Sequence, residues 1–352
     1  MENEVMNFIS VCMIVSVCLS YCYVISSEVP KGFLRLLFFL PIISIFLLLP
    51  WIHSTVLFQL YTGIFIAWHA NFNLLLIALG QDDPLSTDPS LSLQSFIMVT
   101  ALPIKIKRFS AKENSMSTNE LHSPLVFAIN AILWYSVVQI YVNKPYMLLE
   151  NVMVRRSLYT ARMILHEQIV FTLVGWAARA LLKCQLEAQF DNPHLATSVQ
   201  DFWGRRWNLM SSSLLKSTVY LPTRSIFLPI MGRRWAVYPA VITTFTVSGL
   251  MHEMFFFYAT DQWPTWKVMW FYVINGVWVG IEIELKKRAL EKGWNLHNMI
   301  SWLLTLAFIV GGGTWLSYTE LMDSGVDARE IQEYSTLAND VKTYFALAVA
   351  MD

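Results

Sequence analysis

Runs of about twenty apolar residues recur along the chain, separated by short polar or basic links. At 1.5 Å per residue, such a run crosses the roughly 30 Å hydrocarbon core of a bilayer as a helix. On that measure the pattern predicts crossings over 5–26, 33–52, 54–80, 125–143, 163–182, 236–259, 265–284 and 298–316. The expected fold is therefore an all-α integral membrane protein, a polytopic bundle of about eight transmembrane helices. Shorter apolar pieces at 95–104, 217–231 and 342–350 fit re-entrant, interfacial or bundle-packed segments. The polar, turn-rich stretches Gln81–Pro89 and Phe109–Ser123 are expected as loops. With no internal repeat visible, a single membrane domain over 1–352 is the economical description, with cytoplasmic loops at about 81–124 and 183–235.

Composition agrees with the pattern. Of 352 residues, 55% are hydrophobic and 14% charged, with a mean hydropathy of +0.47. A soluble domain carries about 25% charged residues, so this chain has too little charge to cover a water-facing surface. Equal numbers of basic and acidic residues, 25 of each, argue against a nucleic-acid partner. Cys12, Cys18, Cys22 and Cys184 form no disulfide framework, since three of them share one apolar segment. That first segment has Glu2 and Glu4 before it in place of basic residues, and is expected to be a retained span, not a leader.

Basic residues orient the bundle. Lys31 and Arg35, Lys105 to Lys112, Arg205 to Arg234 and Lys286 to Arg288 all fall on one side of the alternating spans, which marks that side as cytoplasmic. Both termini are then luminal. Arg155, Arg156 and Arg162 fall on the opposite side. Either a further span lies near 145–162 or these arginines point into a polar cavity.

Two segments carry the candidate chemistry. Asp201-Phe202-Trp203-Gly204-Arg205-Arg206-Trp207-Asn208 is a dense polar and aromatic block. Read as a helix, it places Asp201, Gly204, Arg205 and Asn208 on one stripe, with Trp203 and Trp207 opposite and Asp201 and Arg205 spaced as an i,i+4 pair. Such a stripe suits the mouth of a membrane cavity. It equally suits an interfacial anchor, because Trp and Arg both gather at the headgroup level. The second segment, Val247-Ser248-Gly249-Leu250-Met251-His252-Glu253-Met254-Phe255-Phe256, buries an ionisable ring in an apolar run. Helical spacing sets Phe245, Ser248, Gly249, His252 and Phe256 on one face, with Glu253 beside it and small residues leaving space before the imidazole. His252 lies about 24 Å along a helix starting near residue 236. An ionisable residue at that depth is costly and is by default functional, although a lone buried histidine is often a hydrogen-bonded structural residue.

Together these segments resemble the asparagine and histidine signatures of the membrane-bound O-acyltransferase superfamily. From Pro30-Lys31-Gly32 to Met251-His252-Glu253 and beyond, the chain is similar to its plant wax synthase branch, the long-chain-alcohol fatty-acyltransferases. The resemblance implies an internal substrate tunnel and transfer of an acyl group from acyl-CoA, a co-substrate, to a lipid alcohol. No cofactor and no metal is implied. It assigns His252 as general base and Asn208 as the group that polarises or positions the thioester. Asp201, Trp203, Gly204, Arg205, Arg206, Trp207, Ser248 and Glu253 are then candidate substrate-binding residues. Arg205 and Arg206 suit CoA phosphates at the cytoplasmic mouth, or serve only as topological signals. His194, where the family often carries tyrosine, is a candidate contact near the mouth.

The expected acceptor is a long-chain alcohol, giving a wax ester. A sterol, or diacylglycerol with a short acyl donor, would use the same two motifs. The endoplasmic reticulum is the expected membrane. A non-catalytic or transporter protein on the same fold is the alternative of another class.

Several chemistries are absent from the sequence. It has no His-x-x-x-His cluster for a di-iron centre, and Phe256 breaks the zinc string that His252-Glu253 begins. It also has no Gly-x-Ser-x-Gly elbow and no Gly-rich phosphate loop.

Overall fold

Residues 2–80, 92–107, 124–143, 150–294 and 296–351 are described in the computed structural model of the protein. Their regular structure is helical apart from a single bridge between Ile106 and Leu186. The main elements are α1 (Glu2–Glu28), α2 (Phe33–Leu48), α3 (Val56–Leu79), α4 (Leu93–Ala101), α5 (Pro124–Asn143) and α6 (Val152–Leu182). They continue with α7 (Leu209–Leu215), α8 (Leu221–Trp235), α9 (Val237–Thr260), α10 (Lys267–Glu291), α11 (Asn298–Asp323) and α12 (Val326–Met351). The expected loops Gln81–Pro89 and Phe109–Ser123 lie outside the described residues.

Seven helices among the described residues are long and apolar enough to cross a bilayer, and they coincide with seven of the eight expected crossings. The protein is an integral, multi-pass membrane protein. The eighth expected crossing, 163–182, is the second half of α6, a 31-residue helix whose mean hydropathy is too low to count as a span by composition. Contacts at its two ends nevertheless carry α6 from end to end of the bundle. Arg156 approaches Asp323 at one end, and Ala178 packs with Val99, Ile104 and Leu186 at the other.

The arginines before 163 therefore belong to the same helix, not to a luminal loop. Arg162 is wholly buried, ion-paired to the equally buried Glu330 of α12, and bonded to Tyr334 Oη at 3.3 Å. Tyr159 donates to the same carboxylate at 3.2 Å. An unpaired charge in such a place is prohibitively costly, so α6 and α12 are held together by their charges. The region 183–235, expected as a loop, instead carries short helices and α8, which is kinked at Gly232 (φ 75°).

α9 and α10 pack closely side by side, and a glycine sets their separation. A Cβ on Gly249 would lie 2.9 Å from Met269 Cα and 3.1 Å from its carbonyl oxygen. The expectation that Gly249 clears space before the imidazole is thus corrected: the space it leaves is filled by the backbone of α10. At the neighbouring level, Gly276 of α10 admits Phe245 of α9.

Arg35, expected as a basic orientation signal, is buried and donates to the carbonyls of Ser26, Val29 and Ile77. It satisfies carbonyls that the ends of α1 and α3 leave without helical partners.

Candidate active site

Between α3, α6, the 199–216 segment, α9, α10 and α11 lies a cavity of about 720 Å³, within the usual range for a small-ligand site. Its wall follows α9 from Val237 to Phe256, about 28 Å at 1.5 Å per residue. Gln200, Arg205 and Lys216 line it from the 199–216 segment, and Tyr61, His166, Glu167 and Glu330 from α3, α6 and α12.

His252 sits on this wall. Its Nδ1 is 2.7 Å from the Ser248 carbonyl oxygen, and its Nε2 is 2.8 Å from Tyr272 Oη. A carbonyl can only accept, so Nδ1 carries the proton and Nε2 presents its lone pair. The Tyr272 hydroxyl donates to that lone pair. The backbone of the preceding helical turn therefore fixes both the tautomer and the direction of the ring. Ser248 contributes this carbonyl as well as a place on the wall.

The block around Asn208 departs from the single helix expected of it. A helical turn at Val199–Asp201 runs into a wider turn over Phe202–Arg206, Trp207 is extended, and Asn208 adopts a left-handed conformation (φ 40°) before α7. Asparagine tolerates that conformation better than most residues. Asn208 Oδ1 accepts from the Ser211 amide at 3.1 Å and caps α7. The amide is thereby oriented: Oδ1 is used, and Nδ2 remains as the free donor of a residue that is 9% exposed and lines the cavity.

The break also rearranges the charges. Asp201 pairs with Arg206, not Arg205, with Oδ2 2.6 Å from Nε, and Arg206 further donates to the Asp191 carbonyl at 3.2 Å. Arg205 lines the cavity, with Trp203, Gly204 and Trp207. Asp201 and Arg206 do not; they brace the loop behind it. Glu253 also stays off the wall, its Oε1 accepting from the Met269 amide at 2.9 Å where α10 begins. His194 is exposed, and its carbonyl accepts from Trp302 Nε1 at 2.6 Å. Periodicity set Asp201 and Glu253 at the site, and the resemblance set Arg206 and His194 there; backbone turns and helix-end hydrogen bonds take them elsewhere.

Three residues from outside the motifs complete the wall or support it. Tyr272 meets His252 with ring centroids 4.3 Å apart. Asn275 Oδ1 accepts from Trp203 Nε1 at 2.9 Å and holds that indole against Tyr272. Glu282 accepts from the amides of Val199 and Gln200, both at 2.9 Å, and ties the block to α10. Nothing in their local sequence distinguishes them, because their roles arise from α10 packing against two distant segments.

A cavity walled by membrane helices, lined by basic side chains, an oriented imidazole and an asparagine amide, has the parts of a transferase acting on lipid. Residues 186–274, which contain both motifs, match the membrane bound O-acyl transferase family. The chain is 37% identical over 333 residues to acyl-CoA–sterol O-acyltransferase 1 of Arabidopsis thaliana, covering 94% of this chain and 95% of that one. It is 36% identical over 346 residues to the long-chain-alcohol O-fatty-acyltransferase of Simmondsia chinensis, covering 96% of each. Over 350 residues it is 36% identical to probable long-chain-alcohol O-fatty-acyltransferase 2 of Arabidopsis thaliana, with 98% of each chain covered.

The chain belongs to the membrane-bound O-acyltransferase family, in its plant wax synthase branch. It is an acyltransferase, transferring acyl groups from acyl-CoA to an alcohol.

Proposed function

We propose that this protein esterifies a long-chain fatty alcohol with the acyl group of acyl-CoA, giving a wax ester, with His252 as general base and Asn208 as oxyanion donor. The observation that supports this best is the hydrogen bond from His252 Nδ1 to the Ser248 carbonyl, which makes Nε2 the basic nitrogen on the cavity wall. The alcohol oxygen attacks the thioester carbonyl carbon as its proton leaves toward Nε2. Asn208 Nδ2 donates to the carbonyl oxygen as charge gathers there. The C–S bond breaks, and the thiolate of CoA takes the proton. The thioester is already activated, so no cofactor, metal or covalent enzyme intermediate is needed.

Arg205 and Lys216, which line the cavity, suit the CoA phosphates. Both belong to the region that the basic links place on the cytosolic side, and the endoplasmic reticulum is the membrane we assign. Exclusion of water from the cavity protects the thioester from hydrolysis.

A sterol acceptor is the second candidate, favoured by the 37% identity to a chain named as a sterol acyltransferase. The test uses membranes from a host lacking its own neutral-lipid acyltransferases, expressing wild type or His252→Ala. Acyl-CoAs of several lengths are supplied with fatty alcohol, sterol or diacylglycerol. Wax ester from wild type, with turnover lowered on the order of 10²–10⁴ in the variant, is expected. Steryl ester without wax ester would move the assignment to the second candidate. Near wild-type turnover by the variant would remove His252 from the chemistry.

A further inference from the structure

The basic nitrogen of His252 is not open to a substrate. Tyr272 Oη occupies its lone pair at 2.8 Å, so an alcohol in the cavity meets the tyrosine hydroxyl first. Displacing the tyrosine would require its ring to leave a packed position. It lies against the His252 imidazole at a centroid separation of 4.3 Å and against the Trp203 indole at 5.5 Å. The indole is in turn anchored to Asn275, one turn along the same helix as Tyr272. The base of the ring is equally confined: its Cβ is among the atoms nearest the site where a Gly249 side chain would project. Tyr272 is only 6% exposed, yet it lines the cavity beside His252.

The hydroxyl spends its single proton on Nε2. Its oxygen keeps lone pairs able to accept from an alcohol O–H on the cavity side.

We propose that Tyr272 is a catalytic residue of the transfer, relaying the acceptor's proton to His252. The inference rests on His252 being the base. As the alcohol oxygen forms its bond to the thioester carbon, the alcohol proton passes to Tyr272 Oη and the tyrosine proton passes to His252 Nε2. The tyrosine is neutral before and after. When the C–S bond breaks, the imidazolium returns one proton along the same path to the sulfur, giving CoA thiol and ester. No oxidant, reductant or further reactant enters.

The relay also bears on the class of acceptor. The hydroxyl needs only to reach Tyr272 Oη on the cavity wall, not the Nε2 lone pair that the tyrosine occupies. A primary alcohol at the end of an extended chain reaches that point with the least lateral bulk.

The test is single-turnover transfer by the full-length protein in membranes, with enzyme in excess over hexadecanoyl-CoA and with hexadecanol as acceptor. Rates are measured in mixtures of H₂O and D₂O for wild type and Tyr272→Phe. The relay predicts a curved dependence on deuterium content in wild type, because two protons move together. It predicts a straight dependence in Tyr272→Phe, with the rate lowered by about 10²-fold, the lower end of the range for a proton-transfer group. A residue that merely positions the ring would lower the rate without changing the curvature. A straight dependence in wild type overturns the relay even if the variant fails to fold. So does a Tyr272→Phe rate within about threefold of wild type, since the alcohol would then reach Nε2 directly. Loss of activity in His252→Ala alongside either result leaves the base assignment standing, whereas an active His252→Ala removes both.

Discussion

Gly249→Ala tests how tightly the chemistry depends on the spacing of α9 and α10. The added methyl would sit 2.9 Å from Met269 Cα and 3.1 Å from Met269 O. Carbon atoms settle at about 3.5–4.0 Å, so the helices must part locally by roughly 0.6–1.1 Å. Both colliding atoms are backbone, and no side-chain rotation relieves them. Gly249 precedes His252 by three residues and Met269 precedes Tyr272 by three, so the shift acts one turn from the Tyr272–His252 hydrogen bond. Added to a 2.8 Å separation, it carries that bond to about 3.4–3.9 Å, at or beyond the limit for O–H···N contact. A displacement of about 1 Å at a reacting centre costs on the order of 10²-fold in rate, and overpacking costs about 1–3 kcal/mol in stability. Ester formation per unit of membrane-accumulated protein is the assay. Gly311→Ala, whose methyl meets nothing within 4 Å, serves as the control. If Gly249→Ala accumulates and turns over like wild type, the helix spacing does not govern the site and the reasoning is refuted.

Other substitutions separate roles that the structure combines. Asn208→Asp keeps the Oδ1 cap on the Ser211 amide but replaces the free Nδ2 donor with a second oxygen. It is expected to accumulate normally while losing on the order of 10²–10³ in turnover, the usual cost of an oxyanion donor; unchanged turnover would leave Asn208 a helix cap only. Arg162→Met strands the Glu330 carboxylate in a fully buried position, at a cost of about 3–5 kcal/mol, and is expected to reduce folded protein in membranes. Arg162→Met combined with Glu330→Leu should restore much of the lost accumulation, as read by detergent-solubilised thermal unfolding. Equal loss in the single and double variants would mean the pair does more than neutralise itself.

The sequence was informative wherever one physical constraint acted on one stretch of chain. A bilayer demands about twenty apolar residues per crossing, so seven spans could be read directly and are found at their expected places. The cost of an ionisable ring at that depth singled out His252, and the resemblance paired it with Asn208. Both line the cavity.

α6 was half legible, because its charges are tolerable only through partners remote in sequence. Arg162 and Glu330 are 168 residues apart, and each read alone argues against burial. The helical reading of 201–210 failed at Trp207, where the chain turns so that Asn208 can cap α7, and so Asp201 meets Arg206 instead of Arg205.

Tyr272 lay wholly outside what local pattern could reveal. It is an aromatic residue in an apolar helix, like many others in this chain. It gains its position from the missing side chain of Gly249 and the reach of Trp203 to Asn275. Hydropathy along the chain determined that this protein lives in a membrane and roughly where it crosses, since burial in lipid is decided residue by residue. Which polar atoms face one another inside depended on how closely two helices approach, and only the tertiary structure sets that distance.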